Sequence, residues 1–212
     1  MLNYELTPNH TGFVLWGNYA TLKQLHKFVY KVVEESIFIE DKEGFVLGLA
    51  YDARKAFQGE RRESHVDYGG DRNKIFGVEV LWPVILIQVG VLRHAMAFMI
   101  SNRLDQATMF ELEHVVELAA RAAIPSTADE IIHSMYRTGA MPYQHIDAVL
   151  NSRCCYFIEL PAQKRLSILP KLMETFGPMY DFLAKQNPVM RHGIIPLNSF
   201  ADGDREWPDF DW

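Results

Sequence analysis

Cysteine is nearly absent from this chain. Two occur in 212 residues, as the adjacent pair Cys154-Cys155, whereas a disulfide scaffold needs several separated cysteines. Bridging immediate neighbours distorts the peptide that joins them, so the pair reads as two reduced thiols on a buried helix. Long apolar runs are missing as well. The longest spans Val80 to Leu92, 13 residues interrupted by Pro83, Gln88 and Gly90, against the ~17–25 that a membrane-spanning helix requires. The start, Met1-Leu2-Asn3-Tyr4-Glu5, has neither the basic nor the apolar region of a secretory signal, so a cytoplasmic location away from membranes is expected. Basic charge is in deficit, with 21 Lys and Arg against 27 Asp and Glu and a net charge of −6. That argues against nucleic acid as a partner, because phosphate neutralisation needs a basic surface. There is no Gly-x-x-x-x-Gly-Lys-Ser/Thr, Gly-x-Gly-x-x-Gly, Gly-x-Ser-x-Gly, His-Glu-x-x-His or Cys-x-x-Cys. The common nucleotide, serine-hydrolase and zinc readings lose their support with those motifs.

What is present is the material of a folded domain. Hydrophobic residues make up 49% and charged residues 23%, enough apolar surface to offset the entropy of ordering the chain. Two β-type runs, Leu2–Leu6 and Gly12–Trp16, flank Thr7-Pro8-Asn9-His10-Thr11 and predict a hairpin. Asn18 or Thr21 caps a helix whose apolar face is Leu22, Leu25, Val29 and Val32, with Lys23, Lys27 and Lys31 on the solvated side. A helix follows from about Phe45 to Gln58. A second hairpin is expected from Glu63–Tyr68 and Lys74–Trp82 around Gly69-Gly70-Asp71-Arg72-Asn73.

From Pro83 onward the pattern is helical. The stretch Val84–Asn102 is apolar nearly all round, which places it in the middle of the domain. An amphipathic helix then runs to about Ala123 with Met109, Leu112, Val116, Ala119 and Ala123 inward. Thr127-x-x-Glu130 reads as a capping box for Asp129–Arg137, and Pro142 precedes a helix through Tyr156. Pro161, Pro170 and Pro178 are expected to cut the remainder into short helices. Strands confined to residues before 83, followed by helices alone, predict an α+β fold. It comprises one domain over 1–187 and an irregular acidic-aromatic tail over 188–212.

Two Glu-x-x-His pairs, Glu111/His114 and Glu130/His133, have the spacing of carboxylate-bridged metal bundles. Across a helical hairpin turning near Pro125 they would be offset by ~9 Å along the axes, too far to share a metal cluster. No metal or cofactor is therefore expected. Arg93, inside the apolar helix, must find a carboxylate or several carbonyls; Glu79 and Asp52 are the candidate ion-pair partners, and an anion pocket is the functional alternative.

The most distinctive segment is Gly48-Leu49-Ala50-Tyr51-Asp52-Ala53-Arg54-Lys55-Ala56-Phe57-Gln58-Gly59-Glu60-Arg61. It reads as a polar corner at a helix end beside a hairpin, with Asp52, Arg54, Gln58, Arg61 and Arg62 bringing many hydrogen-bonding groups together. Either it ties helix to sheet or it receives an anion on its arginine forks. The pattern Gly-x-x-Tyr-Asp-x-Arg-x-Ala-aromatic-Gln-Gly-acidic-Arg resembles that of an uncharacterised family of small bacterial proteins, a domain of unknown function. The similarity extends over roughly the first 90 residues, including Val80-Leu81-Trp82-Pro83. It implies a bacterial, cytoplasmic protein and no particular activity.

The chain ends with Glu206-Trp207-Pro208-Asp209-Phe210-Asp211-Trp212, acids alternating with rings. Such a strip is too charged for a core and too aromatic for an inert linker. Docking on the chain's own fold or on a dimer partner is expected, against Lys23/Lys27/Lys31 or Arg54/Arg61/Arg62, with a disordered tail as the alternative. Two functional classes follow. One is a non-catalytic binding or interaction protein, a homo-oligomer (dimer) in which Asp52, Arg54, Gln58, Arg61 and Arg93 receive a ligand and Trp207, Phe210 and Trp212 meet a protein partner. The other is an enzyme on an anionic small molecule, using Asp52, Arg54, Arg61 and a histidine such as His94.

Overall fold

The computed structural model describes residues 1–68, 71–186, 195–201, 203 and 205–212. The chain opens with the strands β1 (Asn3–Leu6) and β2 (Gly12–Gly17), then the helices α1 (Tyr19–Glu35) and α2 (Phe45–Phe57). The strands β3 (Arg62–Tyr68) and β4 (Asp71–Leu81) complete one antiparallel sheet in the order β1-β2-β4-β3. The two expected hairpins are thus joined edge to edge through β2 and β4, with Phe13 opposite Val80 and Leu15 opposite Val78. All four of these side chains face the helical core, because residues directly opposite in a sheet share a face. Strand β4 starts three residues earlier than the sequence suggests, and the Gly69-Gly70 of the expected turn lies outside the described residues.

The helical part comprises α3 (Trp82–Ala95), a 3₁₀ turn (Met96–Phe98), α4 (Arg103–Ala123), α5 (Ala128–Gly139), α6 (Tyr143–Glu159), α7 (Ala162–Glu174) and α8 (Tyr180–Gln186). This is an α+β fold with its strands ahead of residue 83. Helix α3 is the hub. Every residue from Ile85 to Leu92 is buried, and α3 contacts β4, α1, α2, α4, α5, α6 and α7. No helix among the described residues is long and apolar enough to cross a membrane.

Three local expectations are corrected. The central helix does not continue to Asn102; it ends at Ala95, whose carbonyl accepts the Ser36 hydroxyl at 2.8 Å. Asn102 instead starts α4. Its Oδ1 accepts from the N–H groups of Leu104 and Asp105, and Asp105 Oδ2 accepts from Asn102 N, a reciprocal capping box. The box expected at Thr127 does not form. Thr127 has φ −129° and ψ 13°, outside the extended region of a capping residue, and its hydroxyl makes no cap bond. Pro170 does not cut the chain but sits inside α7, where Leu169, Pro170, Leu172 and Met173 are all buried and their packing outweighs the lost backbone hydrogen bond.

Candidate functional site

Helix α2 brings the distinctive segment to the sheet. Val46, Leu49, Ala50, Ala53 and Ala56 are buried, which turns Tyr51, Arg54 and Gln58 outward. The helix stops by main-chain chemistry. Gly59 has φ +84°, its N–H donates to Ala56 O, and Glu60 N donates to Lys55 O at 2.9 Å. This is a Schellman closure, in which the left-handed residue is preferentially glycine. The Gln-Gly-acidic part of the segment is therefore a helix stop that reverses the chain, and it delivers Arg61 and Arg62 back alongside α2 and β4.

There each arginine finds a carboxylate. Arg61 Nη2 lies 2.8 Å from Asp52 Oδ1, and Arg62 reaches Glu79 Oε1 through Nε at 2.8 Å and Nη2 at 2.5 Å. Arg54 makes no ion pair among the described residues; its guanidinium lies 5.2 Å from the Tyr51 ring centre, and Lys55 stands 5.7 Å from the same ring. Lys55 also pairs with Glu60. Gln58 is exposed at the helix end.

Arg93 is elsewhere. The partner expected for it, Glu79 or Asp52, is corrected to Glu113 of α4, because the C-terminal end of α3 faces α4 rather than α2. Nε donates to Glu113 Oε1 at 2.6 Å, Nη2 bonds the other carboxylate oxygen, and Nη1 donates to Gln106 at 3.3 Å. Glu113 is 8% exposed and Arg93 25%, so the fork is largely withdrawn from water. The carboxylate beside it raises the Arg93 pKa. His94 packs on the rings of Phe38 and Phe98. It does not reach the polar corner.

The acidic-aromatic tail lies on the body of the same chain, away from the expected lysines and beside, rather than on, the arginine corner. Lys23 and Lys27 stay in water, and Lys31 is engaged with Asp105 at 2.6 Å. The tail's receptor is α6. Asn151 Nδ2 donates to Gly203 O at 2.5 Å and to Arg205 O at 2.7 Å, while its Oδ1 accepts from Trp207 Nε1 at 2.5 Å. Arg205 pairs with Glu159. The tail main chain lies over Cys155, whose sulfur is 3.8 Å from Arg205 O; burial pushes that thiol's pKa up. Both cysteines are buried and unbridged.

Further along, Phe210 and Trp212 pack on each other with ring centres 5.0 Å apart and rest against the core. Asn9 Nδ2 donates to Trp212 O, and the Asn9 carbonyl accepts from Arg165 Nη1 at 2.8 Å. The turn between β1 and β2 therefore anchors the far end of the tail.

These two candidate regions meet. A crevice of about 150 Å³ is lined by Leu49 and Asp52 of α2, Glu79, Val80 and Leu81 of β4, Val84 and Gln88 of α3, and Trp207 and Trp212 of the tail. The crevice walls thus include both carboxylates that hold Arg61 and Arg62. Gln88 is fixed by donating to Phe45 O at 2.7 Å. Trp207, 41% exposed, is at the rim. Arg93 and His94 do not line this crevice.

Sequence reasoning missed Gln88 and Asn151, and it assigned Glu79 to Arg93 where the structure pairs it with Arg62. Gln88 had a signal, an amide alone in the longest apolar run; Asn151 had none. Among the described residues, no group of three or more His, Cys, Asp or Glu is arranged to hold a metal ion. Glu111 is instead occupied by Leu2 N at 2.6 Å, and His114, Glu130 and His133 are exposed.

No curated protein and no solved structure matches this chain. A family model does, over residues 2–212, which takes in the sheet, all the helices and the tail. The chain belongs to the family described as Domain of unknown function (DUF6904).

Proposed function

We propose that this protein is a soluble, non-catalytic interaction protein of the bacterial cytoplasm, and that it receives one side chain of a protein partner in the crevice between α2, β4, α3 and the tail. The observation that carries the reading is the convergence at one crevice of the α2 corner and the aromatic tail, which are some 150 residues apart in sequence. Its volume of about 150 Å³ suits a single side chain and falls below the ~300–1,000 Å³ of small-molecule pockets. Trp207 stands at its rim, and Tyr51 and Arg54 are exposed on the helix that supplies Leu49 and Asp52 to its wall. Tryptophan, tyrosine and arginine are the residues that dominate binding energy at protein interfaces. The carboxylates in the crevice are each held by an arginine, which favours a recognition surface over a poised acid–base pair.

The test is photo-crosslinking in the native host from a benzoylphenylalanine placed at position 51. A discrete covalent adduct is expected, and Trp207→Ala with Arg54→Ala should abolish it while leaving the circular dichroism unchanged. Absence of an adduct, or adducts indifferent to those two changes, would reject the reading. Turnover of an anionic metabolite lost on Asp52→Asn would replace it with the enzyme alternative.

A further inference from the structure

The inner side of α4 belongs to the core through Met109, Leu112 and Val116. Its outer side carries a second stripe: Leu104, Ala107, Glu111, His114, Leu118 and Arg121. The spacings of three and four are those of a coiled-coil seam, with Leu104, Ala107 and Leu118 as its apolar members on a face that is ordinarily polar throughout in a surface helix. Leu104 is 57% exposed, Leu118 42%, and Phe110 on the flank 60%. The Arg93 guanidinium stacks on Phe110 at 4.7 Å and supports its ring. Just before the helix, Ile100 is 90% exposed. Together these side chains present on the order of 500 Å² of apolar surface, against ~800 Å² per partner for a complete standard interface. The patch supplies most of that area, and its charged rim can supply the rest.

Charge selects the occupant and its direction. Two copies of α4 paired in parallel would set Glu111 against Glu111 and His114 against His114. Paired antiparallel about the point between those residues, each Glu111, whose Oε1 is taken by Leu2 N, meets His114 of the second copy through Oε2. Ala107 then meets Leu118 of the second copy, a small residue opposite a large one. Beside Ala107 and Leu104 lies a groove of about 290 Å³ between α4 and α1, bordered by Ala20, Thr21 and Gln24. It offers a hole for the incoming Leu118 knob. We propose that α4 packs antiparallel on α4 of a second copy about this two-fold, making the protein a symmetric dimer whose seam is Ala107–Leu118 and Glu111–His114. The surface shares no residue with the crevice, so dimerisation and partner recognition are separable.

Light scattering of the full chain at high micromolar concentration should give twice the 24.4 kDa chain mass. Leu118→Asp, a change at a surface position of the single chain, should return the single-chain mass with an unchanged circular dichroism spectrum. Ala107→Cys combined with Leu118→Cys in one chain should give covalent dimers on mild oxidation. Neither single change should do so. Eleven residues of offset hold each position ~16 Å from its own copy, beyond the ~4.4–6.8 Å between Cα atoms of a disulfide. A single-chain mass at high concentration, a dimer that survives Leu118→Asp, or crosslinking by either single cysteine would overturn the proposal.

Discussion

Gly90 of α3 and Gly139 of α5 lie backbone on backbone. A Cβ on Gly139 would stand 2.0 Å from the Gly90 carbonyl carbon, and one on Gly90 would stand 2.1 Å from Met135 O. No flexible side chain can move aside, because both obstacles are main chain. The hub helix therefore approaches α5 more closely than any residue with a side chain permits.

Gly90→Ala or Gly139→Ala should destabilise by at least ~3 kcal/mol, the upper end of ordinary overpacking. Gly48→Ala in α2 is the contrast. The nearest atom to its new Cβ is Gln88 Nε2 at 3.8 Å, so the higher helix propensity of alanine should add up to ~1 kcal/mol. Urea denaturation of the variants checks both signs. Equal behaviour at the two kinds of site would refute the close crossing.

Arg93→Ala leaves Glu113 buried without its cation. Such a break costs ~3–5 kcal/mol when the pair is fully buried. Arg93 keeps some contact with water, so about 2–3 kcal/mol is expected. Arg93→Met with Glu113→Leu should cost less than Arg93→Ala alone, since no charge is then stranded. A double-mutant cycle showing simple additivity would dismiss the pairing.

Asp147 lies in a shallow cleft with Glu40, Asp41 and Tyr143. Partial desolvation of its carboxyl against the cleft, on a residue that is otherwise exposed, and then the Asp41 charge raise its pKa above the ordinary carboxylate value. A carboxyl with a raised folded-state pKa binds its proton more tightly in the native state. Stability therefore falls as pH climbs from the unfolded value, ~3.9, through the folded one. Asp147→Asn should raise the melting temperature at pH 7, and the gain should vanish below that window. A gain of the same size at pH 3.5, or none at pH 7, would show that the cleft does not act on this charge.

Removing residues 202–212 strips Phe210 and Trp212 from the core and uncovers Cys155. With full burial of such side chains contributing ~1.5–3 kcal/mol each, the half-buried pair should be worth about 2–3 kcal/mol. The melting temperature should fall by roughly 5–10 °C. Thiol titration under native conditions should find no reactive cysteine in the intact chain and one in the truncated chain, with Cys154 still buried. An unchanged thiol count would mean that the tail does not cover α6.

Local periodicity was readable from the residues alone, whereas caps were only partly so. The α1 face of Leu22, Leu25, Val29 and Val32 is buried as its 3.6-residue spacing predicts, and the all-apolar stretch after Pro83 became the hub. Both hairpins and the α+β order of strands before helices follow from short-range signals of the same kind. The Gln58-Gly59-Glu60 stop was legible as a polar corner, though its meaning as a main-chain closure depended on the sign of one φ angle.

What remained illegible was partner choice. Arg93 required a carboxylate, and the sequence offered many; only the rotation of α3 against α4 selected Glu113 over Glu79 or Asp52. The tail's composition demanded a receptor, and electrostatics alone pointed to the lysines of α1 or the arginines of the α2 corner. The tertiary structure chose the uncharged Asn151 and the Asn9 turn, because directional hydrogen bonds and ring burial count for more than screened surface charge. Composition and periodicity are local properties of the chain and fix which groups must be buried or paired. Which distant group meets them is decided by how the helices cross, and that depends on packing across the whole core.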